Sequence, residues 1–234
     1  MWCLIKLTWV IMSFVTQSET VITSPTIPIR IPNYAFVDGQ NVETSLLHKQ
    51  AKLDWLQLYQ QLQNHKVHPC SKIICYFKYS FSPQRQKFFE DLKAIGYQVV
   101  LSNYCGNGKV NVDADITVDC LSQYFETSQF NLVLLSGDGD FVPLLKKFEL
   151  LRSKVWIIGG AESNISENLK TKARFRDKLT GKINKKLRSF GAIFENYPHL
   201  YTTLSDDELK HIVGDTEFQI IQSKLPKKIP SIDG

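Results

Sequence analysis

An α/β fold, with a parallel sheet covered by helices on both faces, is what this sequence predicts, and three observations carry the prediction. Short runs of apolar, β-preferring residues recur over residues 34–37, 72–77, 97–101, 132–135 and 154–158. Segments with apolar residues at helical spacing separate most of these runs, and strands alternating with helices imply a doubly wound sheet with right-handed crossovers. Two of the runs end in acidic, glycine-containing turns, Asp38-Gly39-Gln40-Asn41 and Ser136-Gly137-Asp138-Gly139-Asp140. In an open parallel sheet, ligands sit just beyond the carboxyl ends of the strands, where such turns lie.

Taken in order, the ordered domain begins at about Asn33. Ahead of it, residues 2–15 are apolar but too short to span a bilayer, and Lys6 interrupts them. They also lack the basic n-region and small-x-small cleavage site of a signal peptide. They read as an extension, joined through residues 18–32, an extended linker containing Pro25, Pro28 and Pro32. After the first strand, Trp55, Leu58, Tyr59 and Leu62 place an amphipathic helix over residues 53–64. The strand at 72–77 follows. Ser82 and Pro83 then start a helix through Phe88, Phe89, Leu92 and Ile95 that Gly96 closes.

The strand at 97–101 leads into a polar loop over 103–111, and Asp113 is expected to cap a helix reaching Glu126. Residues 132–135 form the fourth strand, followed by a helix through Phe141, Leu144, Leu145 and Phe148. Residues 154–158 form the fifth, stopped by Gly159-Gly160. Beyond Pro198, Ser205 and Glu208 form a capping box for a short helix through Leu209, Ile212 and Val213, and residues 224–234 read as a loose tail. The expected division is an N-terminal extension over 1–32, a catalytic domain over 33–188 and a C-terminal extension over 189–234.

Composition narrows the function. At 234 residues with 43% hydrophobic and 22% charged, the chain suits one globular domain with tails. The net charge of +5 is unevenly spread. Lys170, Lys172, Arg174, Arg176, Lys178, Lys182, Lys185, Lys186 and Arg188 stand against the single acid Asp177, which leaves the rest of the chain at −3. The five cysteines are odd in number and lack Cys-x-x-Cys spacing, so no disulfide framework or zinc site is expected and a cytoplasmic location fits. There is no Gly-x-Gly-x-x-Gly after the first strand and no Walker A loop, so a nucleotide cofactor is not expected. No firm membrane partner is expected either, and homodimerisation stays open.

The chemistry lies in the acids. Asp38, Asp138 and Asp140 fall at strand ends, and Asp113 and Asp119 on the helix before the fourth strand. Asp38 alone reads as a turn residue and Asp113 alone as a helix cap. Together in one cleft they would repel one another unless a cation offsets them, and an all-oxygen site suits Mg²⁺ or Mn²⁺. Such ions activate water and polarise a phosphodiester, so hydrolysis of a nucleic-acid backbone is the implied reaction. Helix geometry sets Asp113 about 120° from Asp119. Both are expected to face inward, with Asp113 lying outside the regular helix and Asp115 solvated. Asn41 and Ser136 are read as supporting groups, and Lys109 as a counter-charge for phosphate.

Three blocks carry a resemblance: Phe36-Val37-Asp38-Gly39-Gln40-Asn41; Lys109 ahead of Val112-Asp113 with Asp119 beyond; and Leu135-Ser136-Gly137-Asp138-Gly139-Asp140-Phe141-Val142-Pro143-Leu144. In this order, with Asn168, Leu169, Ala173 and Phe175 behind them, they resemble the NYN domain, the LabA-like branch of the PIN-like ribonuclease superfamily. The resemblance implies a Rossmann-like PIN fold and a Mg²⁺- or Mn²⁺-dependent nuclease acting on RNA. It implies metal-binding and catalytic roles for Asp38, Asp113, Asp138 and Asp140, with Asn41, Ser136 and Asp119 in support. The basic run then supplies a surface for the RNA backbone, with Phe175, Phe190, Phe194 and Tyr197 available to stack unpaired bases of a single strand. A non-catalytic RNA-binding or scaffold module on the same fold is the alternative. A Toprim-like domain also places Asp-x-Asp at a strand end, but it carries Glu on its first strand where this chain has Asp38.

Overall fold

A computed structural model describes residues 30–66, 68–102, 111–127, 129–174 and 189–224. Residues from Ile31 onward form one unit; the unit before it, Met1–Arg30, lies outside the described residues except for Arg30 itself. The apolar N-terminal stretch, most of the linker, the loop carrying Lys109 and the final ten residues therefore also lie outside them. Among the described residues no helix is long and apolar enough to cross a membrane.

Chain order runs β1 (Asn33–Asp38), α1 (Gly39–Leu47), β2 (Ala51–Leu53), α2 (Trp55–Gln63), β3 (Cys70–Lys78), α3 (Pro83–Ile95) and β4 (Gln98–Ser102). It continues through α4 (Val112–Thr127), β5 (Asn131–Leu135), α5 (Val142–Leu150), β6 (Val155–Gly159), α6 (Glu167–Lys170) and β7 (Ala173–Arg174). β8 (Ser189–Ile193), β9 (Tyr201–Thr203) and α7 (Asp206–Lys224) complete it. Seven strands form one sheet in the order β4-β3-β1-β5-β6-β8-β7, and every neighbouring pair is parallel. The chain builds outward from β1 through β3 to β4, then returns to lay β5 against the other side of β1. That reversal makes the gap between β1 and β5 the topological switch point, where open α/β sheets hold their ligands.

Both faces of the sheet are covered, which explains why the strands read as unbroken apolar runs. Ala35, Val37, Cys75, Phe77, Val133 and Leu135 pack with Val42, Leu46, Leu58 and Leu92 from α1, α2 and α3. Phe36, Tyr76, Leu132 and Leu134 pack with Ile116, Cys120, Leu145 and Phe148 from α4 and α5. Cys70, Cys75 and Cys120 are buried, unbridged members of these cores.

Four features depart from the sequence expectation. α1 starts directly at Gly39, where a turn was expected, because the Asp38 carboxylate accepts from the Asn41 N–H at 3.0 Å and so caps a helix. Asp113 is not the cap of α4: the Asn111 side chain accepts from the Ala114 N–H at 3.0 Å, and Asp113 lies inside the first turn. The expected border at 188 falls inside the sheet, since β8 pairs with β6. β9, also beyond that boundary, pairs antiparallel with β2. Finally, the C-terminal helix extends to Lys224 through a kink at Gly214, although its Ser205–Glu208 capping box forms as expected.

Gly39 shows how tightly the turn after β1 is seated. A Cβ there would lie 2.1 Å from the Phe77 ring. Trp55, Phe88 and Phe89 surround that ring at centroid distances of 5.7, 5.6 and 5.3 Å, so it has no room to retreat. Gly39→Ala is therefore expected to lower stability by roughly 1–3 kcal/mol, the usual cost of overpacking, as measured by urea unfolding. An unchanged unfolding midpoint would contradict this packing.

Candidate active site

β1 and β5 run side by side, Val37 opposite Leu135, so the loops that follow them leave the sheet together. Asp38 ends β1 and is 5% exposed. Beyond capping α1, it accepts from the Ser136 hydroxyl at 3.2 Å. Ser136 Oγ in turn accepts from the Asp138 N–H at 3.1 Å. In the opposite direction, the Asn41 side-chain oxygen accepts from the Gly137 N–H at 3.0 Å. The two supporting residues expected from the sequence thus tie the β1 and β5 loops to each other.

The β5 turn is shaped from within and from behind. Asp138 accepts from the Asp140 N–H at 2.9 Å, which turns the chain and brings both carboxylates to one side. Gly137 has no Cβ to keep neighbours away: one there would lie 2.5 Å from the Asn164 carbonyl oxygen. The Gly137 carbonyl accepts from the Ser166 N–H at 2.9 Å, so the loop after β6 docks directly on this turn.

α4 delivers Asp113 from its first turn. One carboxylate oxygen from each of Asp113, Asp138 and Asp140 lies within 4.8 Å of the others. Asp38 lines the same cleft of about 310 Å³ as Asp113 and Asp138, and it feels both charges. Asp119 does not join the group, contrary to expectation. With Asp113 inside the helix, six residues rotate Asp119 about 120° away, and its carboxylate accepts from the buried Tyr76 hydroxyl at 2.9 Å. Tyr76 is the register partner of Asp38, so this bond braces α4 against the sheet near the site. Asp115 is exposed, as expected.

The described residues leave the acids of the cleft uncompensated. Burial pushes the Asp38 carboxyl up to about 6, with the charges of Asp113 and Asp138 adding to it and the Asn41 and Ser136 hydrogen bonds opposing it. Asp113 is raised by burial, then by Asp138 and Asp140. A second cleft of about 370 Å³ continues past Asp138 and Asp140 to Ser163, Asn164, Ser166 and Asn168. Asn41, Asp138 and Asn164 line both, and among the described residues neither cleft is lined by lysine or arginine. An all-carboxylate donor set converging with no cationic partner among the described residues fits a hard divalent ion.

The expected RNA-binding cations are less closely placed. Lys170 pairs with Glu167 at 2.7 Å, and Lys172 is half-buried after α6. Arg174 enters the structure through its backbone in β7. Lys109, Arg176, Lys182, Lys185, Lys186 and Arg188 lie outside the described residues, as does Phe175. Phe194 is a core residue and not a stacking platform, whereas Tyr197 is exposed. The residues that sequence reasoning missed are Gln40 and Thr44, brought to the cleft by the unforeseen α1, and Asn164, in a short 3-10 turn after β6. None lies in a periodic pattern that would have marked it.

The NYN domain family matches residues 34–179. No curated protein matches the chain. A crystal structure of a protein of unknown function from Vibrio parahaemolyticus is similar at 22% identity, covering 70% of this chain and 93% of that one with a TM-score of 0.55. That likeness shows a shared fold. With the family match spanning most of the described sheet and all of the converging acids, the chain belongs to the NYN domain family, a branch of the PIN-like ribonuclease superfamily.

Proposed function

We propose that this protein is a Mg²⁺- or Mn²⁺-dependent endoribonuclease that hydrolyses phosphodiester bonds in single-stranded RNA. The observation that carries the reading is the meeting of Asp113, Asp138 and Asp140 at the switch point, beside the buried Asp38 and with no cationic partner among the described residues. Asp113, Asp138 and Asp140 would hold the ion, with Asp38 adding charge behind them. When bound, the ion supplies an acidified water and polarises the phosphodiester. The chain's own contribution is placement. Ser136 and Asn41 fix Asp38 and the β5 turn relative to each other, and Tyr76 holds α4 through Asp119. Cleft on both sides of Asp138 favours a strand that passes through the site over one that ends in it.

The basic run at 170–188 gives the polyanion a sequence-independent attraction. Removing Lys182, Lys185, Lys186 and Arg188 together is expected to flatten the salt dependence of RNA binding, by about 0.7 in log–log slope for each phosphate that is no longer neutralised. An unchanged slope would take this segment out of the interface.

Asp138→Asn removes one charge and keeps the shape that caps the turn. Its cleavage of labelled single-stranded RNA in Mn²⁺ is expected to fall roughly 100-fold or more, the scale of removing one preorganised electrostatic group, and EDTA is expected to abolish cleavage by the parent. Retained RNA binding with no cleavage by the parent under any metal condition would favour the scaffold reading.

The raised affinity of Asp38 for a proton sets a pH dependence. Folding favours its neutral form, so its contribution to stability is complete below the ordinary value of 3.8 and is lost as pH rises through about 6. In EDTA at about pH 8, Asp38→Asn, which stays neutral, is therefore expected to exceed the parent in stability by roughly 2–3 kcal/mol, with the gap closing toward about pH 4. Urea unfolding across that range measures it, and a gap independent of pH would contradict the assignment.

A further inference from the structure

A phosphodiester entering this cleft brings another negative charge to a place already crowded with them. The residues expected to receive its oxygens are normally lysine or arginine, yet among the described residues neither cleft presents one. A lysine in this position would be drawn onto the carboxylates and would compete with the metal. A neutral amide N–H avoids that conflict, because it can donate to an anionic oxygen without discharging the metal's ligands.

Two such amides line the clefts beside Asp138, and at Asn41 a backbone donor fixes which way the amide faces. The Asn41 oxygen is engaged by the Gly137 N–H at 3.0 Å, so its NH₂ group lies on the other side of the amide and has no partner among the described residues. The Asn164 oxygen accepts from the Ser163 hydroxyl at 3.1 Å, and its NH₂ has no partner among the described residues. Both residues line both clefts, together with Asp138. The position of Asn164 is not incidental. Its carbonyl packs where a Cβ of Gly137 would be, and the next turn is fastened to that glycine through the Ser166 N–H at 2.9 Å.

From this arrangement we infer that Asn164, together with Asn41, forms a neutral clamp for the non-bridging oxygens of the substrate phosphate, making Asn164 a substrate-binding residue of the site. The inference rests on the nuclease reading above. The amides hold the phosphate between them while the carboxylates remain available to the ion, so metal binding and phosphate binding are carried by separate groups. Asn164 lies in the loop after β6, so the chain beyond the β5 turn contributes to the site as well as the acidic turns themselves.

The test compares the full-length parent with Asn164→Ala and Asn164→Asp. The aspartate variant keeps the shape and the oxygen that Ser163 bonds, and replaces only the donor NH₂ with a repelling oxygen. Mn²⁺ affinity is read by electron paramagnetic resonance, cleavage on a labelled oligouridylate in Mn²⁺, and binding of the same oligomer by fluorescence anisotropy. Expected is Mn²⁺ affinity close to the parent's in Asn164→Ala, with cleavage lowered about 10–100-fold, the value of one hydrogen bond to a charged group, and lowered further in Asn164→Asp. Two results would overturn the clamp: cleavage and binding by Asn164→Ala equal to the parent's, or loss of cleavage accompanied by loss of Mn²⁺ binding, which would place Asn164 in support of the metal. If the parent itself does not cleave, the nuclease reading fails. Anisotropy then still decides the clamp, through weaker oligouridylate binding by both variants or binding equal to the parent's.

Discussion

Two hydrogen bonds between adjacent loops, Ser136 to Asp38 and Gly137 to Asn41, are the constraint on which the carboxyl end of the sheet depends. Each loop uses a polar group of the other to complete its own turn, so neither acid at the switch point can shift without dragging its neighbour. The sheet register makes this possible, because Val37 stands opposite Leu135 and the two chains emerge level. A third segment, residues 164–166, is held to the same turn because glycine at 137 admits its backbone.

These constraints hold together groups that would otherwise separate. Carboxylates at this spacing repel, and at Asp38 burial withholds the water that would screen the charge. The described cations do not relieve the strain. Arg85 is engaged with Glu43 at 2.6 Å and lies over Phe77, Phe88 and Phe89, while Lys170 is held by Glu167. An arrangement of like charges that opposes stability, yet is held in place by specific bonds, is the pattern expected of a site shaped by what it binds.

Much of this was legible in the sequence. The central strands announced themselves because a sheet covered on both faces needs uninterrupted apolar runs, and Asp38, Asp113, Asp138 and Asp140 followed from their places at strand and helix ends. What escaped detection lacked a period or depended on contacts remote in sequence. β2 and β9 have three residues each, too few to show alternation, and each finds its partner far along the chain. α1 hid behind Asp38-Gly39, a pair that reads equally as a turn until the capping bond to Asn41 is seen. Asp119 was misjudged because its role depends on Tyr76, a residue on another strand whose hydroxyl no spacing rule points to. Asn164 gave no signal, since its place follows from the bare Cα of Gly137.

The parallel pairing of β8 with β6 has a consequence for where this protein can be cut. The family match stops at residue 179, short of the strand that covers the free side of β6 and of the strand that shields β2. A fragment trimmed to that border would bare the backbone donors and acceptors of two strands, open templates for association with other molecules. The smallest autonomous piece is therefore larger than the homologous one, and its remaining portion is as much a part of the fold as the acidic turns are.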